Sequence, residues 1–276
     1  MEKVVVVNDC AHVFEDLIPE LKNDYEIEFI QRTRSLTSKT FSLLWQILRA
    51  DGSLYHVNYA LQDAYLVSKL KHHLDVLHIH GSDIRQTIDT SKYGWMVRSN
   101  LKNARRVVYA TPDLEDRVKT YRNDAVYLPT PVRLDLFNLK SHYNPKPVAL
   151  AFRLAYEEIP PLLIDELNRY GIDLTVLERN IPYSKMPETL AKYDIFIDRF
   201  TIPSLSKTCL EAMSTGLATI DYRHLADLSS RIRFLSDPSN VKAAGEENRK
   251  YVEANHDSKV VAKNLSLIWD ELLQKR

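Results

Sequence analysis

Apolar runs of strand length alternate with segments of helical period almost from end to end of this 276-residue chain, and no other feature restricts its fold as much. The run KVVVV at Lys3–Val7 is apolar at consecutive positions, the pattern of a parallel strand covered on both faces. Strand-like runs follow at Tyr25–Ile30, Ser53–Ala60, Asp75–Asp83, Arg105–Thr111 and Ala125–Val132, with helical segments between them. Residues Asn138–Pro147 (NLKSHYNPKP) are polar, carry two prolines and read as a linker. A second alternating block then runs through Val148–Phe152, Ile172–Glu178, Tyr193–Phe200 and Leu217–Tyr222 to an amphipathic helix over Ser258–Gln274. Short connections between alternating strands and helices specify doubly wound parallel sheets. The expected class is therefore α/β, with two Rossmann-like lobes over residues 1–140 and 141–276 and a cleft between them. The final helix is placed to pack back on the first lobe. In such sheets ligands lie beyond the carboxyl ends of the strands, so the loops after strands carry the candidate chemistry.

Composition narrows that chemistry by exclusion. With six glycines the chain contains no G-x-G-x-x-G and no G-x-x-x-x-G-K-[ST], so any phosphate must be held without a dinucleotide fingerprint or a P-loop. Lys+Arg and Asp+Glu both number 37, and a net charge of zero does not point to nucleic acid as a partner. Cys10 and Cys209 are far apart and outside any C-x-x-C pattern, which fits a reducing compartment without a disulfide framework. The chain opens directly on a short apolar run without the features of a signal peptide, and no apolar run approaches the roughly 20 residues of a membrane span. A cytoplasmic protein is expected.

The densest local chemistry lies in DRFTIPSLSKTCLEAMSTG, Asp198–Gly216. Pro203 stops the preceding strand segment, and Ser204–Ser206 offer N-caps for a helix over Lys207–Thr215 that Gly216 would end. Ser206, Lys207 and Thr208 then form a helix start whose backbone N–H groups suit a diphosphate, with the Lys207 charge beside them. Glu211, one turn further in, has the acceptor oxygens that a ribose diol requires. A solvated glutamate on a surface helix fits the same string. Ser204-x-x-Lys207 also matches the S-x-x-K of acyl-enzymes, but the companion motifs are absent, and Cys209 reads as a packed small residue.

Seven segments in order, LYHVNYALQDAYLV, LHIHGSDIR, VVYATPDLEDRV, VYLPTPVRLDLF, AFRL, LEAMSTGLATI and NRKYVEANHDSKVVAKNLSLIWDELL, resemble the successive motifs of one family. It is family 4 of the glycosyltransferases, retaining enzymes of the GT-B fold that use nucleotide-diphosphate sugars, and the resemblance covers nearly the whole chain. It implies a GT-B glycosyltransferase of polysaccharide or glycolipid biosynthesis that needs no cofactor and no bound metal. A nucleotide sugar would be the donor, and a carbohydrate or lipid-linked hydroxyl the acceptor.

The resemblance also implies roles. Arg153 matches the arginine that grips the donor diphosphate, and Glu211 the ribose-binding glutamate. His80, with Gly81 permitting close backbone approach, matches the histidine near the transferred sugar; Asp83 and Arg85 follow in the same loop, with Arg85 as an acceptor contact or a structural salt bridge. His78, two residues earlier, packs inside on this reading, and a His78–His80–Asp83 metal set is the lesser alternative. The departures are as specific. The family's first glutamate, separated from the second by seven residues, is absent, because Pro203 stands there, eight positions before Glu211. Asp198, thirteen residues before Glu211, matches a variant in which a strand-end acid holds the sugar hydroxyls, although Arg199 replaces the usual glutamine and Asp198 could equally pair with Arg199. The lysine expected after Arg153 is missing, with Glu157 and Glu158 nearby, and Lys207 is the candidate replacement. These departures keep two rivals open: a non-catalytic GT-B subunit and a sugar-nucleotide epimerase.

One further pattern concerns the acceptor side. Arg32, Arg34, Lys39 and Arg49 bracket the apolar FSLLWQIL without an acid between Glu28 and Asp51. Lys92, Arg98, Lys102, Arg105 and Arg106 recur beside Trp95 and Met96. Basic–aromatic segments of this kind rest on anionic lipid or form solvated helix faces, so peripheral contact with the inner membrane face is an expectation.

Overall fold

The computed structural model describes residues 1–31, 39–90 and 92–275. The chain divides into two compact units, Met1–Pro131 with Ser258–Arg276, and Val132–Asp257.

In the first unit the elements run β1 (Glu2–Val7), α1 (Ile18–Leu21), β2 (Tyr25–Ile30), α2 (Lys39–Arg49), β3 (Leu54–Asn58), α3 (Gln62–Leu70), β4 (Leu74–Ile79), α4 (Gly94–Asn103), β5 (Ala104–Tyr109), α5 (Glu115–Tyr121) and β6 (Val126–Tyr127). All strand pairs are parallel, in the order β2-β1-β3-β4-β5-β6 among the described residues. The order reverses between β1 and β3, which makes their carboxyl ends the switch point of the sheet. The valine run shows why β1 is an interior strand. Val5 and Val7 enter a core with Leu43 and Ile47 of α2, Val67 of α3 and Val97 of α4, while Val4 and Val6 enter a second core on the other face. That second core is closed by Phe14, Leu17 and the last helix of the chain, through Val261, Leu265 and Trp269. The Tyr25 hydroxyl donates to Asp270 at 2.6 Å, and Arg106 pairs with Glu271 at 2.8 Å, fixing that helix to the strands.

The second unit contains β7 (Val148–Phe152), α6 (Arg153–Tyr156), α7 (Pro161–Arg169), β8 (Asp173–Leu177), α8 (Met186–Leu190), β9 (Ile195–Ile197), α9 (Lys207–Ser214), β10 (Ala218–Ile220), α10 (Leu228–Leu235) and α11 (Pro238–Asn255); α12 (Ser258–Gln274) then returns to the first unit. Its strands are parallel in the order β10-β9-β7-β8, with the switch point between β7 and β9. Ala149, Ala151, Ile195 and Ile197 pack toward α7, α10 and α11; Leu150 and Phe196 pack toward α8 and α9.

Two expectations need correction. The stretch Asn138–Pro147 is not a free linker but part of the second unit. Lys140 is buried there with its ammonium 2.8 Å from Asp194 Oδ1, and Asp194 also accepts from the backbone N–H and side-chain amide of Asn144 and from Val148 N–H. A buried charge needs that much pairing, and the segment's polarity serves it rather than solvent. The apolar run Ala125–Val132 forms only the two-residue β6, because Pro129 and Pro131 cannot donate to a ladder.

Candidate active site

At the switch point of the second unit, Arg153 follows β7 and Asp198 follows β9, at the carboxyl ends of adjacent strands, and Asp198 bonds to the start of α9. Helix α9 begins and ends as its sequence requires. Ser206 is the N-cap, with its Oγ accepting from Cys209 N–H at 3.0 Å. At the other end Gly216 adopts φ 89°, Gly216 N–H donates to Met213 and Leu217 N–H donates to Ala212, the paired bonds of a Schellman stop. The N–H groups of Lys207 and Thr208 have no acceptor within the helix, as for any helix start.

Asp198 is bonded within its own loop. Only 2% of its surface is exposed; Oδ1 accepts from the Ser206 hydroxyl at 2.7 Å and Oδ2 from Ser206 N–H at 2.9 Å. Burial raises its pKa, and the Ser206 bonds offset part of that rise. Asp198 thus pins the cap that sets the direction of α9, and its carboxylate is not presented to solvent. Sequence reasoning located the acid and missed its partner, although an Asp eight residues before a Ser N-cap was there to be paired.

Lys207 and Glu211 lie one turn apart on α9, Nζ to Oε1 3.4 Å, with both side chains nearly enclosed. The Lys207 ammonium also lies over the Tyr183 ring, 6.0 Å from its centre. Glu211 is therefore not a solvated surface glutamate; its carboxylate is buried beside a cation. Arg153 is different. It is half exposed and its Nε reaches Glu178 Oε1, at the end of β8, at 3.0 Å. An exposed pair of this kind is weak, so the guanidinium can exchange Glu178 for another anion at small cost. Glu158, from the acidic neighbourhood that replaces the expected lysine, accepts from the Thr201 hydroxyl at 2.8 Å and ties down the loop after β9. Cys209 is fully buried, and burial raises its thiol pKa, which suits packing and not nucleophilic work.

The first unit gathers a second polar group at its own switch point. Asn58 at the end of β3 donates from Nδ2 to the Asn8 carbonyl at 2.8 Å, and Asn8 Nδ2 donates to Asp63 at 3.0 Å. That orientation turns Asn58 Oδ1 toward His80 Nε2, 2.8 Å away, so Nε2 carries the proton and Nδ1 is left as an acceptor. The rings of His56, His78 and His80 follow one another across β3 and β4, with centroids 5.5 and 4.2 Å apart. Burial lowers the pKa of all three, to about 3 for His56 and His80, so the stack is neutral at physiological pH. His78 is buried, as its strand position implied.

Four residues around this point take positive φ without being glycine: Asn8 (66°), Ala11 (50°), His12 (63°) and Tyr59 (73°). Such backbone persists only where its surroundings hold it, here partly through Asp9, which accepts from Cys10, Phe14 and Glu15 N–H at 2.6, 2.8 and 3.1 Å. Asn8 and Asp9 at a strand end were the signal available in the sequence; nothing marked Ala11 or His12.

The remaining candidates, Gly81, Asp83 and Arg85, are tied into the loop after β4. Asp83 is buried and accepts from Ala60, Gly81 and Ile84 N–H at 3.1, 2.9 and 3.1 Å, closing the loop after β4. Arg85 forms a fork on Asp113, Nε–Oδ2 2.7 Å and Nη2–Oδ1 2.9 Å, and also donates to Thr111. Gly81 sits at φ 132°, and a Cβ there would meet the Arg85 guanidinium at 2.0 Å. Glycine is needed for Arg85 to cross to Asp113.

No family model matches the chain, and no curated protein matches it in sequence. Solved structures match its fold. Sucrose-phosphate synthase from Thermosynechococcus elongatus superposes with a TM-score of 0.72 at 12% identity, covering 100% of both chains. The catalytic domain of starch synthase IV from Arabidopsis thaliana, solved with ADP and acarbose, gives 0.65 at 9% identity, covering 99% of each. A putative UDP-N-acetylglucosamine 2-epimerase from Listeria monocytogenes gives 0.60 at 9% identity, over 99% of this chain and 97% of that one. At such identities the likeness establishes the fold: two Rossmann-like units of the GT-B type.

Proposed function

We propose that this protein is a glycosyltransferase that moves a sugar from a nucleoside-diphosphate donor to a hydroxyl acceptor, with retention at the anomeric carbon. The observation that carries the reading is the group at the switch point of the second unit: Arg153 at the end of β7, the Ser206-capped start of α9, and the Lys207–Glu211 pair one turn in. The barrier in such a transfer is departure of an anionic diphosphate from a carbon gaining positive charge. Catalysis then rests on positive groups already in place around the leaving group. Arg153, released from Glu178, and the N–H groups of Lys207 and Thr208 take the diphosphate, without a bound metal. Glu211 takes the ribose diol, for which Lys207 turns from Glu211 toward the phosphate. Asp198 is a positioning residue that fixes Ser206 and the helix start. His80, neutral and with Nδ1 as acceptor, orients a hydroxyl of the acceptor or the sugar at the first unit.

The fold neighbours support this class: a sucrose-phosphate synthase and a starch synthase solved with a nucleotide are among them. The acceptor is a carbohydrate or a lipid-linked hydroxyl. Titration with nucleoside diphosphates, and hydrolysis of a nucleotide-sugar panel, test the donor site; heat on binding that Arg153→Ala removes is the expected result. A second reading, a sugar-nucleotide epimerase, is favoured by the Listeria monocytogenes structure. It requires conversion of the donor sugar with no acceptor present, which chromatography detects.

A further inference from the structure

Helix α2 is apolar on two opposite sides. Leu43 and Ile47 point into the core beneath it, while Phe41, Trp45 and Leu48 are 77%, 60% and 48% exposed. At roughly 100° per residue the exposed three fall within an arc of about 60°, and the buried pair lies nearly opposite. The outer stripe therefore adds nothing to the fold. It continues across the neighbouring helices of the same layer, where Tyr65 of α3 meets Trp95 of α4 edge-on at 5.3 Å, and Trp95 and Tyr93 are themselves exposed.

The charge of this layer is as uneven as its hydrophobicity. Helices α2, α3 and α4 carry Arg49, Lys69, Arg98 and Lys102 against the single acid Asp63, which is buried and bonded to Asn8. Two of these cations lie on aromatic rings, Arg49 over Trp45 and Lys69 over Tyr65, both at 5.5 Å, and Lys92, just before α4, lies over Tyr93 at 4.9 Å. In a chain with no net charge, three adjacent helices with no exposed carboxylate are a local excess, which ends at α5 with its acids Glu115 and Asp116. Arg32 and Arg34, which belong to the same acid-free stretch of sequence, lie outside the described residues.

From the outer face of α2–α4 we infer that this protein docks peripherally on an anionic lipid bilayer, with Phe41, Trp45 and Leu48 entering the interface and the surrounding cations meeting lipid phosphates. Aromatic and aliphatic side chains ringed by lysine and arginine are the composition that such an interface selects. The attachment lies on the surface, since among the described residues no helix is long and apolar enough to cross a membrane. A second copy of this chain is the poorer occupant, because a two-fold contact through this face would set its cations against one another. The inference is independent of the donor site, which belongs to the other unit.

Sedimentation of the full chain with vesicles tests it. Vesicles containing phosphatidylglycerol should pellet the protein at 0.1 M salt and release much of it at 0.5 M, while phosphatidylcholine alone should pellet little. Phe41→Ser with Trp45→Ser should weaken binding roughly tenfold or more, with the circular-dichroism melt unchanged because both side chains are exposed. Arg49→Glu with Lys69→Glu should weaken it too, and flatten the salt dependence. Failure to pellet with anionic vesicles, or pelleting that both double variants leave intact, overturns the inference. So does a dimer in solution that Phe41→Ser with Trp45→Ser dissociates while the wild type ignores vesicles. Nucleotide binding by each variant, measured in parallel, separates this outcome from failure of the donor reading.

Discussion

Replacing His56 with asparagine should remove a defined share of the protein's acid lability. His56 is fully buried, and its Nδ1 accepts from the Trp269 indole N–H at 3.3 Å. Protonation would place a charge in the core and an N–H against that indole donor, and burial, followed by the nearby His80, lowers the pKa from 6.5 to about 3. A base whose folded pKa is depressed contributes fully above its unfolded value, and the contribution falls away as the pH drops from about 6.5 toward 3. At pH 5.0 the unfolded histidine is protonated and the folded one is not. The gap of 1.5 units from 6.5, at 1.36 kcal/mol per unit, is a loss of about 2 kcal/mol relative to pH 7.5. Asparagine retains an acceptor for Trp269 and does not titrate. Urea unfolding of both proteins at pH 7.5 and 5.0 should show a smaller acid loss in His56→Asn by about 2 kcal/mol, whatever its stability at pH 7.5. Other groups with shifted pKa values, such as Asp9, Asp83 and Asp198, largely cancel in the comparison. Equal acid losses in the two proteins would show that His56 is not held neutral by this core.

Trp269→Ala should destabilise the first unit by about 3–5 kcal/mol, read by denaturant unfolding, because the last helix closes one face of its sheet through that side chain. Lys207→Met should destabilise the protein by roughly 3 kcal/mol by removing the cation beside the buried Glu211 carboxylate, and adding Glu211→Met should restore much of it; additive losses would deny the coupling. Asp198→Ala should weaken nucleotide binding and lower the melting temperature together, since the acid acts through Ser206, whereas Asp198→Asn, which can keep the hydroxyl bond, should do less of both. A change in turnover without a change in stability or binding would return Asp198 to a direct role.

Much of the fold was legible because parallel strands and covering helices impose two periods that a sequence cannot hide. The valines of β1 face alternate cores, and α12 covers the span expected, Ser258–Gln274. What misled was polarity without its partner. Asn138–Pro147 looked solvated because Lys140 is charged, and only the fold brings Asp194 to it. The candidate site divides in the same way. The cap at Ser206, the stop at Gly216 and the positions of Arg153 and Glu211 follow from local rules and strand ends. The Asp198–Ser206 and Arg85–Asp113 pairings depend on how the loops fold, and the left-handed backbone at Ala11 and His12 sits in a turn held by Asp9 that neither residue type announces.

Calorimetric titration of the full chain with UDP, ADP and GDP, in the presence of a chelator, bears on the donor site with the fewest assumptions. At least one of the three should bind, and Arg153→Ala should weaken it by about 10- to 100-fold, the worth of a charged hydrogen bond to phosphate. No binding by any of the three, or binding that Arg153→Ala leaves untouched, would contradict a donor site at the β7–β9 switch point.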